Sequence, residues 1–189
     1  MAASHLLRLT IDRLEASAET SAAGAVIARA CFVAEGMAMF RAGDNAATLS
    51  VNSAFLATGT IDTTAGKDGA VILRYELGPA GTATPDGVTL EASLTLDDPD
   101  GYLLRCDKVE LPPGGIAYTH THRGGGIRCL VEGGFNVKVD GKTTIIGPLE
   151  AWFESGPDPV YAWAPDDKPG HFSRVMILPR WLKEKSSIR

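Results

Sequence analysis

The sequence predicts an all-β protein built as an antiparallel sandwich or barrel. Short apolar or alternating runs recur between Gly, Pro, Asp and Asn residues along most of the 189-residue chain. In the clearest of them, "FNVKVDGKTTII" (135–146), apolar and polar residues alternate on both sides of Asp140-Gly141. That dipeptide supplies the two left-handed positions of a type I′ turn, so the segment predicts a hairpin. Many short strands between such turns are typical of sandwiches and barrels.

The elements are predicted in order along the chain. Residues 9–18 predict a short amphipathic helix, because their apolar residues lie roughly on one face. The predicted strand runs are 25–34, 36–41, 47–57, 70–77, 88–95, 101–111, 115–122, 127–132, 134–139, 142–147, 150–155, 159–164 and 171–178. The tail, 180–189, predicts a short capping helix or a flexible end, with Trp181 and Leu182 packed against the barrel or a partner.

Composition excludes several classes of protein. Hydrophobic residues make up 44% of the chain, which is enough for a sizeable core. The net charge is −5 and no basic stripe is visible, so we expect no nucleic-acid partner. No apolar run approaches the length of a membrane span, and the first residues do not resemble a signal peptide. The three cysteines are widely spaced without a CxxC pair, which indicates a reducing, cytoplasmic location.

Two histidines carry the first functional signal. Side chains alternate along a strand, so Tyr118, His120 and His122 are predicted to share one face. Two imidazoles on one surface can share a metal ion or a substrate. The glycines at 124–126 follow at once; they predict either a close approach of backbone or ligand, or a plain flexible turn.

The segment around these histidines resembles the first motif of the cupin superfamily, G-x5-H-x-H-x3,4-E-x6-G. Here it reads Gly114, "GIAYT", His120, Thr121, His122, with Gly133 or Gly134 as the closing glycine. The resemblance covers residues 101 to about 179. It implies a cupin-type double-stranded β-helix, a jelly-roll barrel with a site in its mouth, an N-terminal strand extension and short terminal helices.

The resemblance also implies two domains. Residues 101–189 would form the cupin barrel core with its C-terminal tail. Residues 1–100 would form an N-terminal β extension or a degenerate half packed on the barrel. Exposed sheet edges favour pairing, so we expect a homodimer.

The chain departs from the family pattern at two ligand positions. The family's glutamate falls at Gly126 or Ile127, and neither residue binds a metal. In the second motif, Val160 stands where the third histidine belongs and Ala164 where an asparagine belongs. Only two of the usual four ligands are therefore present, and another residue must complete a metal site.

Glu154 is the candidate for that missing ligand. It shares a strand face with Trp152, and a carboxylate inside a barrel is costly unless it is paired or bound to a metal. We expect Glu154 to act as a ligand or an acid/base; the alternative places it outside, with Phe153 inside. His171 could join the site from the last strand, or lie in a loop or at the rim.

The motif can be aligned with its glutamate position at residue 126 or at residue 127, and the alignment determines which side chain of the next strand faces the barrel interior. If Gly126 replaces the glutamate, Arg128 faces inward and suits a carboxylate or phosphate. If Ile127 replaces it, Cys129 faces inward as a ligand, a redox target or a small buried thiol. Both frames remain open at this point.

The resemblance implies three functions. In the first, His120 and His122 hold a divalent ion (Fe, Mn, Ni or Zn) with Glu154, while Arg128 or Tyr118 orients a small anionic substrate for oxygenase, lyase or isomerase chemistry. In the second, a metal-free isomerase or epimerase uses one of the histidines as base and Tyr118 as acid. In the third, the barrel binds a small molecule without catalysis.

Overall fold

The computed structural model describes residues 3–24, 26–96 and 100–189. Residue 25, where one predicted strand run begins, and residues 97–99, beside the predicted domain boundary, lie outside the described residues. Within these ranges the chain forms fifteen strands and a single 3-10 turn, which confirms the all-β prediction. Over the same ranges, no helix has the length and apolar character that a membrane span requires. The described residues divide into two compact units, Ala3–Leu96 and residues 100–189.

The N-terminal unit is a seven-stranded antiparallel sheet. Five of its strands lie in the order β4-β3-β6-β1-β7, while β2 pairs with β6 and β5 pairs with β3. The strands are β1 (Ala3–Leu14), β2 (Glu19–Ala22), β3 (Ala28–Ala42), β4 (Asn45–Ser50), β5 (Ala54–Ala57), β6 (Ile61–Pro79) and β7 (Val88–Leu96). Its apolar cluster centres on Phe40, Val33 and Ile72, which are at most 1% exposed.

Residues 9–18 differ from the helix that their apolar spacing predicts. Residues 9–14 are the second half of β1, which pairs with β6 on one side and β7 on the other. The β6 ladder pairs residues 9–14 throughout, the β7 ladder extends to Thr10, and Leu9 is 0% exposed. Tertiary pairing therefore overrides the weak local preference.

The C-terminal unit consists of two four-stranded antiparallel sheets, in the orders β13-β10-β15-β8 and β12-β11-β14-β9. The strands are β8 (Tyr102–Leu111), β9 (Ile116–His120), β10 (Gly126–Gly133), β11 (Phe135–Val139), β12 (Lys142–Ile146), β13 (Ala151–Glu154), β14 (Val160–Trp163) and β15 (Gly170–Pro179). Both sheets contribute to one apolar cluster, among them Leu130 and Phe172 from the first and Phe135 and Val160 from the second. The core therefore lies between the sheets, as in a jelly roll.

The predicted hairpin is confirmed. β11 and β12 pair from Phe135↔Ile146 to Val139↔Lys142. Asp140 and Gly141 have φ angles of 48° and 77°, the left-handed values that a type I′ turn requires.

The tail contains a single 3-10 turn, Arg180–Leu182, where the sequence predicts a short capping helix or a flexible end. Leu182 is 2% exposed and packs with Leu103, Met176 and Leu178. Trp181 is 47% exposed, with the side chains of Arg123 and Lys185 over its ring. The last residues then run beside 121–123, and Ile188 forms a β-bridge with His122.

Candidate functional site

The barrel unit encloses a cavity of about 380 Å³. One part of its wall is apolar and comprises Val109, Leu111, Ala117, Phe135, Val160, Ala162, Phe172 and Ile188. The other part is polar or aromatic and comprises Tyr118, Thr119, His120, His122, Arg128, Glu154, Arg174 and Arg189. This division suits a small ligand with one hydrocarbon part and one polar part.

A β-bulge in β9 sets the direction of the first histidine. Ala117 lies opposite Ala162 and His120 lies opposite Val160, so three steps along β9 match two along β14. The extra residue shifts the alternation, and Ala117 and His120 both line the cavity. Tyr118 reaches only the rim, because it is 77% exposed.

His120 and His122 line the same cavity. Their ring centroids are 4.8 Å apart and the rings are nearly perpendicular, at 86°. His122 lies beyond the end of β9 and is fixed there by its backbone, whose N–H donates to the Gly156 carbonyl at 2.7 Å. The β-bulge therefore positions His120, and the backbone hydrogen bond to Gly156 positions His122.

The hydrogen bond of His120 fixes its tautomer. Its Nδ1 lies 2.6 Å from the backbone carbonyl oxygen of Tyr118. A carbonyl only accepts hydrogen bonds, so Nδ1 carries the hydrogen and donates it. When the ring is neutral, Nε2 is left with a lone pair that can accept a proton or a hydrogen bond.

Arg128 faces the cavity, which resolves the open frame. On β10, Gly126 lies opposite Glu154 and Arg128 lies opposite Trp152. Arg128 is 1% exposed and lines the cavity. Cys129 is absent from the described lining, and burial raises the pKa of its thiol to about 12. Cys129 is therefore a buried, inert thiol in this fold.

Glu154 is held inside the barrel by an ion pair and a hydrogen bond. Its Oε2 lies 2.7 Å from Nη2 of Arg128, and its Oε1 accepts a hydrogen bond of 2.9 Å from the Trp152 indole. Nη1 of Arg128 donates to the Gly126 carbonyl at 2.7 Å. Glu154 is 8% exposed, so the alternative that places it outside with Phe153 inside is not the one adopted.

The cavity has a positive electrostatic character. Among the described lining residues there are three arginines and one carboxylate, Glu154. Arg174 is also paired, through two 2.9 Å contacts with Asp107. Burial, and then the charges of Arg128 and Arg174, lower the pKa of His122 to about 3. His122 is therefore neutral near pH 7.

The residues present do not fit a resident metal ion. Among the residues that the structure describes, no group of three or more His, Cys, Asp or Glu side chains could hold one. Glu154 is engaged by Arg128 and Trp152, and a guanidinium beside the donors disfavours a cation. At Gly126, a Cβ atom would collide with the Val175 carbonyl oxygen, so β15 leaves no space for the family's glutamate.

His171 lies on the other face of β15. Phe172 and Arg174 line the cavity, so strand alternation directs His171 away from it. Its side chain is buried, and that burial lowers its pKa. The structure thus does not bring His171 into the cavity with His120 and His122.

Sequence reasoning missed two contributions to the wall. Arg174 stands two residues after Phe172 in "HFSRVMILP", so its alternation with a core residue was a usable signal. Ile188 and Arg189 also line the cavity, because their segment is bonded to residues 121–123. Nothing local in the tail signals that pairing.

Comparison with known proteins identifies solved structures of the same shape. No family model matches the chain, and no curated protein matches its sequence. AerE from Microcystis aeruginosa superposes with a TM-score of 0.66 at 11% identity, over 92% of this chain and 88% of that one. A Cupin 2 conserved barrel domain protein from Leptotrichia buccalis gives 0.54 at 15%, over 94% and 87%. A mutant of Bacillus subtilis oxalate decarboxylase OxdC gives 0.69 at 12%, over 90% and 68%. At these identities the likeness concerns the fold alone.

Proposed function

Because the chain has the fold of the cupin superfamily, we propose that it binds a small organic anion in the barrel cavity and moves a proton on it without a resident metal ion. One observation carries the proposal. The described polar wall contains three arginines, and its one carboxylate, Glu154, is already paired with Arg128. Among the described lining residues the arginines therefore outnumber the side-chain carboxylates, and Arg174 is in addition paired with Asp107.

An anion is the ligand that this charge distribution favours. After burial, the charges of Arg128 and Arg174 lower the pKa of His122, so the positive field acts inside the cavity. Arg128 has a planar guanidinium that suits a carboxylate, and it is fixed by the Gly126 carbonyl. The apolar wall would receive the hydrocarbon part of the same molecule.

His120 is the proposed base. Its Nδ1–H is held by the Tyr118 carbonyl, which leaves Nε2 to accept a proton from the ligand. The phenol of Tyr118 lies at the rim and stays the predicted proton donor. Proton abstraction beside a carboxylate or carbonyl, as in an isomerisation, is the reaction class that these groups supply.

Binding is tested with protein purified without a histidine tag and treated with a chelator. We expect small apolar carboxylates such as hexanoate or benzoate to raise the melting temperature, and their uncharged amides to leave it unchanged. The double variant Arg128→Gln/Glu154→Gln should lose the effect, because it removes the recognising cation together with the charge that the cation neutralises. An equal response to acids and amides would contradict the proposal.

Catalysis is tested with a 2-oxo carboxylate such as 2-oxohexanoate, by exchange of the C–H hydrogens beside its carbonyl with D₂O, followed by mass spectrometry. We expect His120→Gln to slow the exchange by about 100-fold or more, as loss of a general base does. Binding without any exchange would instead support the non-catalytic alternative.

The metal-dependent alternative stays a prediction. The observation in its favour is that His120 and His122 lie with ring centroids 4.8 Å apart, with Glu154 Oε2 3.5 Å from His122 Nε2. Stoichiometric metal that is lost in the double variant His120→Ala/His122→Ala would support it over our proposal. The homodimer, the cytoplasmic location and the domain boundary at residue 100 also stay predictions.

A further inference from the structure

The segment 186–189 places the hydroxyl group of Ser187 next to Nδ1 of the His122 ring. The backbone of this segment pairs with residues 121–123: Arg123 N–H donates to the Ser187 carbonyl at 3.0 Å, and Arg189 N–H donates to the Thr121 carbonyl at 3.0 Å. Ser187 is 3% exposed and His122 is 4% exposed. The Oγ of Ser187 lies 3.3 Å from Nδ1 of His122.

The two ring nitrogens of His122 face different kinds of group. Nδ1 faces the Ser187 hydroxyl, which can donate or accept. Nε2 faces Oε2 of Glu154 at 3.5 Å, and a carboxylate paired with Arg128 accepts only. The other neighbour of the hydroxyl is Sδ of Met176 at 3.8 Å, a weaker acceptor than an imidazole nitrogen.

We propose that Ser187 is a positioning residue that donates its hydroxyl hydrogen to Nδ1 of His122 and so keeps the ring hydrogen on Nε2. In this arrangement the Ser187 hydroxyl donates to Nδ1, a better acceptor than Sδ of Met176, and the Nε2 hydrogen points toward Oε2 of Glu154 at 3.5 Å. A hydrogen on Nδ1 would leave two acceptors, Nε2 and the Glu154 carboxylate, facing each other in a buried site.

As a consequence, the two histidines have opposite hydrogen-bonding roles at their ring nitrogens. His120 donates through Nδ1 and accepts through Nε2, whereas His122 accepts through Nδ1 and donates through Nε2. This division deepens the proposed function and rests on it, because it separates a base from a hydrogen-bond donor within one cavity. Ser187 acts on the site only through His122.

The tautomer is measured directly by long-range ¹H–¹⁵N NMR of the full chain labelled with ¹⁵N-histidine, near neutral pH and without ligand. We expect His122 to show a hydrogen on Nε2 and a lone pair on Nδ1, with His120→Gln used to assign the rings. In Ser187→Ala, the ratio of the two tautomers should shift toward Nδ1–H by about fivefold, as the loss of one hydrogen bond implies. Ser187→Thr should keep the wild-type ratio, since it keeps the hydroxyl.

Ser186→Ala is the matched control. Ser186 lies in the same segment and its Oγ accepts the backbone N–H of Ile188, away from the imidazole. A wild-type spectrum with the hydrogen on Nδ1, or an unchanged ratio in Ser187→Ala, overturns the proposal. The wild-type spectrum alone decides the tautomer if Ser187→Ala fails to fold. Absence of ligand binding or exchange in the wild type would overturn the proposed function and leave the tautomer result standing.

Discussion

Arg128 and Glu154 form an ion pair that water hardly reaches, since the two residues are 1% and 8% exposed. Burial removes the water that would stabilise each charge, and the opposite charge of the partner compensates for part of that loss. At the scale of single residues, this pairing leaves the Glu154 carboxylate engaged by Arg128 and Trp152.

Replacing one partner of this pair should lower the free energy of unfolding far more than replacing both. We expect Arg128→Met to lower the free energy of unfolding by about 3–5 kcal/mol, because Glu154 is left buried and uncompensated. The double variant Arg128→Met/Glu154→Gln should recover most of that loss, since its amide oxygen still accepts from Trp152. Urea denaturation of the two variants measures the difference, and equal losses would show that the pair is not coupled.

The pH dependence of stability should report the burial of His122. Its folded pKa is about 3, below the unfolded value of about 6.5, so the unfolded chain binds one more proton between these pH values. Stability contributed by neutral His122 is therefore lost as pH falls. From pH 6.5 to 5 this loss is about 1.5 kcal/mol.

The variant His122→Gln isolates that loss. We expect its free energy of unfolding to fall less than that of the wild type over the same pH range, by about 1.5 kcal/mol. His171 remains in both proteins, so its own lowered pKa cancels in the difference. Parallel curves for the two proteins would contradict the assignment.

At the scale of elements, the glycines at and before the start of β10 lie very close to the backbone of β15. A Cβ atom on Gly124 would collide with the carbonyl oxygen of Ile177, and one on Gly126 with that of Val175. The predicted close approach at these glycines is therefore confirmed, and the approaching group is backbone. On the other side of β10, its pairing with β13 brings Arg128 and Glu154 together.

Gly126→Ala should destabilise the barrel unit, because the backbone of β15 cannot move aside as a side chain can. We expect a cost of about 2–3 kcal/mol, the upper part of the range for overpacking. Gly147→Ala is the matched control, since the nearest atom to its Cβ is a side-chain oxygen of Glu150 at 3.4 Å. Thermal denaturation of both variants tests the difference, and equal melting temperatures would refute it.

The sequence predicts elements whose signal lies within one strand. The alternation of β11 and the Asp140-Gly141 turn are local, and both are found as expected. The bulge of β9 depends on β14, so no local residue signals that Tyr118 turns to the rim. Residues 9–18 predict a helix from their apolar spacing, whereas the pairing that makes residues 9–14 part of β1 comes from distant strands that local spacing does not signal.

The same limit applies to the site. His120, His122, Arg128 and Glu154 were selected from spacing and parity, and the structure brings all four to one cavity. The frame of Arg128 could not be decided, because adjacent glycines fit both versions of the motif. Ser187 was not found, since its contact with His122 joins residues 65 positions apart.

At the scale of the whole molecule, the two units each bury a thiol that can report on their folding. Cys31 lies in the apolar cluster of the N-terminal unit, and Cys129 is 0% exposed in the barrel unit. Burial raises the pKa of each thiol to about 12, from a reference value of 9.0. The thiolate is the reactive form, so native reaction rates should be roughly a thousandfold below those of an unfolded chain.

The variant Cys106→Ser removes the half-buried third thiol and leaves one reporter in each unit. We expect no alkylation by iodoacetamide in native buffer within the time that labels the denatured chain completely. Along a urea gradient, mass spectrometry of the two cysteine peptides should give one labelling midpoint for each unit, because each thiol reacts only when its own sheet opens. Rapid native labelling of the Cys129 peptide would contradict the buried core that the proposed site requires, and rapid labelling of the Cys31 peptide would contradict the burial of the N-terminal core.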